Sequence, residues 1–167
     1  EALELARRTP EKHADAILML MITKFQCEHN RPGAASTDEA LAMSRQIAAG
    51  AKEAFGEDAP AALHANLMLL RTLVQSRHPE EAASLASDLI ADAEKAFASG
   101  HLMRGHVYRD SADAFLAAGR FDDAEKYALL AQSTFAQSLP DSFGEQDFCS
   151  EQLRRIYAQW PGGGRTA

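Results

Sequence analysis

The 167-residue chain has little of what interrupts or cross-links a fold: ten glycines, six prolines and two cysteines. Val, Ile and Thr are sparse while alanine is abundant, which disfavours strands and favours helices. Cys27 and Cys149 stand alone, without metal-ligand spacing, and read as a reduced, cytosolic pair. No apolar run reaches the roughly 18 residues of a membrane span. The nearest, 14–22, is too short and has no basic leader, so it is not a signal peptide. Positive charge is also short: 17 basic against 24 acidic residues give a formal charge of −7. An acidic surface of that size speaks against nucleic acid and anionic membranes as partners, because phosphate binding needs a basic stripe. A location in the cytoplasm is expected.

Catalytic and cofactor-binding patterns are missing as well. The chain has no H-E-x-x-H, C-x-x-C or G-x-S-x-G, and no glycine-rich phosphate loop ahead of a lysine. Nor does it carry the E-x-x-H pairs of a helical di-iron site. His101 and His106 are five residues apart around a helix start, which does not place them on one face, so surface histidines are expected there rather than metal ligands. An enzyme, a metal site and a bound cofactor are therefore not expected.

What is present is a repeat. Asp38-Glu39-Ala40, Glu80-Glu81-Ala82 and Asp122-Asp123-Ala124 recur every 42 residues. The same step relates Met43, Leu85 and Tyr127; Ile47, Leu89 and Ala131; Ala51, Ala93 and Phe135; and Phe55, Phe97 and Leu139. Within each copy these positions trace one stripe of a 3.6-residue helix, about five turns long. Ser36 with Glu39 forms a possible capping box. Gly56 and Gly100 sit where a left-handed C-terminal cap is expected, and Pro140 stops the third copy. A more apolar helix precedes each stripe, over 14–28, 61–75 and 103–118, and a further one over 146–159 follows the last. Short turns join the members of the second and third pairs, and a longer one, 29–37, joins the first. Helix, turn, helix in tandem predicts an all-α solenoid of about three antiparallel hairpins plus a C-terminal capping helix. The repeats fall at about 11–58, 59–101 and 102–144, with the last helix at 146–160 and a flexible tail at 161–167. EALELARRTP reads as the second half of a helix and GGGRTA has nothing to pack, so the chain is expected to be a piece of a longer protein, from its C-terminal end.

The segment HVYRDSADAFLAAGRFDDAEKYALLAQSTFA, 106–136, resembles a tetratricopeptide repeat. It has an aromatic early in the first helix (Tyr108), a small residue where helices touch (Ala112) and an aromatic three residues on (Phe115). Gly119 closes that helix, Phe121 opens the next, and Ala124 and Ala131 mark the crossing. The second repeat departs at Leu70 and Pro79, and the first matches only through its second helix. A period of 42 is longer than the family's usual repeat and is similar to the kinesin-light-chain type, whose turn resembles Phe55-Gly56-Glu57-Asp58-Ala59-Pro60. The closing SEQLRRIYAQWPGG is similar to the last helix of repeat regions at the C-termini of bacterial serine/threonine kinases.

That resemblance implies a protein–protein interaction module, part of a larger cytosolic signalling protein, whose first helices line a concave peptide-binding groove. An array that self-associates is the alternative. Carried over by register, the groove positions are His106, Arg109, Asp113 and Leu116; His64, Leu67, Arg71 and Val74; and Phe148, Glu151, Arg155 and Ala158. In the first repeat they are Met19, Thr23 and Gln26. Arg71, Arg109 and Arg155 could grip the carboxylates of an acidic peptide, or could pair with Asp113 and Glu151 within the stack. The Lys/Asn clamp that some family members use for a C-terminal carboxylate is not matched. Cys27 is expected to be buried beside Phe25, and Met19 and Met21 to pack in the core. Trp160 is expected to cover the end of the stack, with anchoring of a neighbouring domain as the alternative.

Overall fold

The 42-residue register becomes six helices in the computed structural model, which describes residues 22, 23, 25, 38–57, 59–139 and 143–161. They are α1 (Asp38–Phe55), α2 (Pro60–Gln75), α3 (Pro79–Ala96), α4 (Leu102–Ala117), α5 (Phe121–Ser138) and α6 (Phe143–Gln159). The described residues contain no strand, so the all-α expectation holds. The final helix begins three residues earlier than its apolar pattern suggested. Met19, Met21, Gln26, Cys27, Ser36 and Pro140 lie outside the described residues.

Each striped helix starts on an acidic pair, Asp38-Glu39, Glu80-Glu81 or Asp122-Asp123, set against the positive end of the helix dipole. Gly56 ends α1 with positive φ, its N–H donating to the Lys52 carbonyl. Gly100 also has positive φ, but α3 is capped by an extended Phe97, so this glycine turns the following loop instead of closing the helix.

The residues divide into two compact units, Glu1–Ser76 and Arg77–Ala167, and the two helices of the second expected repeat belong to different units. In the first unit, Ala40, Ile47 and Ala51 of the α1 stripe are buried with Ala62, Ala65 and Met68 of α2 and with Ile22 and Phe25, both helical. Phe55, at the end of that stripe, is exposed where a core position was expected. Its register counterparts Phe97 and Leu139 are half-buried.

In the second unit α3, α4, α5 and α6 pack in sequence, and α4 also touches α6 directly. Glycine at position 105, in the first turn of α4, is a packing requirement. A Cβ there would come within 2.8 Å of the Phe135 ring. Ala124 and Ala131 of α5 are fully buried, and the Tyr127 ring of α5 lies 5.5 Å from Phe115 and 5.7 Å from Tyr108. Tyr108 also donates to Glu94 of α3 at 2.9 Å and accepts from Arg104 at 3.0 Å. Burial, the largest influence, raises the pKa of its phenol.

The turns before α3 and α5 carry the register into the backbone. Gly119 has φ +71°, and Arg77, one repeat earlier, has φ +61°. A non-glycine residue holds the left-handed turn there at a steric cost that glycine escapes.

Candidate protein-interaction surface

The α4–α6 contact brings together side chains from equivalent helices of successive repeats. The Arg109 guanidinium lies 3.1 Å from Asp110 Oδ1 and 2.8 Å from Glu145 Oε2, and 5.2 Å above the Phe148 ring. Its burial works against the charge, but Asp110 and Glu145 outweigh that penalty and raise its pKa above the ordinary value. The Arg109 carbonyl accepts from Gln152 Nε2 at 2.8 Å. One turn further along, Arg155 donates to Asp113 at 2.8 Å. Phe148 stays 44% exposed, so one side of its ring carries Arg109 while much of the rest meets solvent.

Cys149, on the inward side of α6, is a free, fully buried thiol. Burial pushes its pKa up to about 11, against a smaller pull from Arg109.

The residues expected in a groove divide in three ways. Arg109, Asp113, Arg155 and Phe148 converge where α4 meets α6, and Glu151 is exposed beside them, paired with Arg154. In the first unit His64 and Arg71 are exposed on α2, and Thr23 is exposed between buried Ile22 and Phe25. Two positions need correction, and a third is partly covered. Leu67 is only 3% exposed and Leu116 is buried, so both belong to the interior. His106 is half-buried, with its ring edge-on to Phe135 at 5.2 Å.

Of the two roles open to the arginines, pairing within the stack is what Arg109 and Arg155 do. Arg109, however, takes Asp110 and Glu145 in place of the expected carboxylates. Asp110 and Gln152, buried polar side chains at the same register position, were not anticipated. The step from Met68 through Asp110 to Gln152 hides them, because the first of the three is an ordinary core residue.

Elsewhere, the His101 ring stacks on Phe97 at 4.6 Å and its Nδ1 caps α4 by accepting from the Met103 N–H at 3.2 Å. No cluster of three or more potential metal ligands occurs among the described residues. No helix among them is long and apolar enough to cross a membrane. Trp160 stacks on Phe121 at 5.8 Å. The α4 positions that face α5, Ala112 and Phe115, are fully and almost fully buried; their α6 counterparts Arg154 and Tyr157 are exposed. That polar substitution is the composition of a capping helix.

Models of protein families give no match to this chain. No curated protein matches it either. Among solved structures it resembles a kinesin-light-chain-type protein of Podosopora anserina with nearly identical TPR-like repeats, at a TM-score of 0.66 and 20% identity. The match covers 93% of this chain and 63% of that one, so this chain spans less than two thirds of its structural relative. With the helix order and the α4–α6 contact, this makes the fold a TPR-like α-helical repeat.

Proposed function

We propose that the chain is a non-catalytic protein–protein interaction module whose binding face in the second unit is formed by α4 and α6. Arg109, Asp113, Phe148, Glu151 and Arg155 are its principal side chains. His64 and Arg71 of α2, with Thr23, hold the matching register in the first unit. The carrying observation is the direct α4–α6 junction, where first helices of consecutive repeats abut and leave Phe148 exposed above an ion-paired floor. An exposed aromatic over a rigid polar base is the composition of an anchor point in a protein interface. A regulatory place within a larger cytosolic signalling protein suits a scaffold of this kind.

Peptide-display selection on the intact chain tests the reading. Selected binders should change affinity on Phe148→Ala or Arg155→Ala and keep it on Leu129→Asn, on the outside of α5. Binders indifferent to the first two changes would overturn the placement of the face. Self-association is the second reading, favoured by the adjacent exposed leucines Leu129 and Leu130. Sedimentation equilibrium of the Leu129→Asn chain beside the parent decides it.

A further inference from the structure

We infer that the segment bound on the α4/α6 face is basic, with a lysine or arginine of the partner lying over Phe148 between Glu145 and Glu151. This rests on the interaction reading above and adds the chemistry of the partner.

The cations of this face are already committed. Arg109 is shared between Asp110 and Glu145, and its side chain is only 13% exposed. Arg155 is held by Asp113, and Arg154 by Glu151. Asp110, Asp113, Glu145 and Glu151 outnumber these three arginines. Three of the four pairs, Arg109 with Glu145, Arg155 with Asp113 and Arg154 with Glu151, have partly exposed carboxylates that can accept further donors. In the floor, Gln152 uses its amide N–H on the Arg109 carbonyl, while its Oε1 accepts no hydrogen bond among the described residues. The cluster therefore carries net negative charge, and its three partly exposed carboxylates, Asp113, Glu145 and Glu151, are where a partner can meet it.

Geometry gives that surplus a shape. Glu145 and Glu151 lie three residues before and three after Phe148 on α6, so the three share one side of the helix. A long cationic side chain can lay its aliphatic stem and charged head on the open part of the ring. From there its head reaches carboxylates on both sides. An acidic segment would meet arginines that are already neutralised, and Glu145 and Glu151 would repel it.

The test uses the intact ¹⁵N-labelled chain and two short peptides that differ only in carrying arginines or glutamates at the same positions. The arginine peptide should shift amide signals of α6 between Glu145 and Arg155, and the glutamate peptide should not. Phe148→Ala should weaken the arginine peptide roughly threefold to thirtyfold. Glu151→Lys should weaken it too, and added salt should do the same, since charges at a solvated surface are screened over about 10 Å at 0.1 M. Both substitutions are at exposed positions, so the fold is retained. Preference for the glutamate peptide on the same residues would overturn the charge assignment and leave the interaction reading standing. Shifts confined to residues outside α4 and α6 would overturn both. Absence of shifts with either peptide would overturn the basic partner, while the display selection still judges the interaction reading.

Discussion

Arg155 and Asp113 occupy the same register position of consecutive repeats and bond to each other at 2.8 Å. The repeat therefore aligns residues of opposite charge across the α4–α6 junction. Both side chains are partly exposed, so solvent limits what the pair contributes. A double-mutant cycle with Asp113→Ala and Arg155→Ala should give a coupling below about 1 kcal/mol in denaturant unfolding. A much larger coupling would show a drier junction than described.

Gly105→Ala should destabilise the chain even though alanine is the better helix former. The helix gain is about 1 kcal/mol, whereas forcing a buried ring aside costs about 1–3 kcal/mol. A lower denaturation midpoint is expected. Gly144→Ala, whose Cβ would meet nothing within 4 Å, should not lower it. A raised midpoint for Gly105→Ala would mean that Phe135 has room to move.

Arg77→Gly should act in the opposite direction. It relieves a left-handed residue at the position where the next repeat has Gly119. A gain of about 0.5–1 kcal/mol is expected, after allowing for the greater freedom glycine gives the unfolded chain. Thermal unfolding of the two proteins side by side measures it.

Ala131→Leu should cost about 1–3 kcal/mol by overpacking the α5 crossing. An unchanged midpoint would show that this residue does not face a neighbouring helix.

Cys149 gives the chain a pH dependence at the alkaline end. Its thiol stays protonated to about pH 11 when folded and ionises near pH 9 when exposed. The unfolded state thus loses its proton first, and stability from this group, intact below pH 9, falls as the pH rises through 9 to 11. Cys149→Ala should flatten that part of the stability curve. In the folded chain at pH 8 the thiol should resist alkylation, and it should react once denaturant is added.

Helix positions and period were legible because large apolar residues recur in fixed columns. One column filled by small residues was not. Ser44, Ala86 and Ala128 form a fully buried column beside the stripe, yet Ser and Ala alone give no hydrophobic signal. Leu67 was assigned to the groove for a related reason: register gives the turn of the helix a residue occupies, whereas burial depends on what its neighbours cover. The Arg109 cluster was partly visible, since pairing within the stack was one of two roles open to the arginines. The choice of Asp110 and Glu145 was not visible, because it depends on how closely α4 and α6 approach.

That approach bears on how the second unit comes apart. In a stack where each helix touched only its immediate neighbours in sequence, the last one could open without disturbing the helix two places back. Here, loss of α6 would take Glu145 from Arg109 and the Gln152 amide from the Arg109 carbonyl. Arg109 would be left with Asp110 alone, and its carbonyl without the Gln152 amide, although α5 still covers α4. The energetic coupling therefore skips a helix, and the unit should melt as one block instead of unzipping from its end. Amide hydrogen exchange in α4 and α6 should accordingly report a common opening free energy.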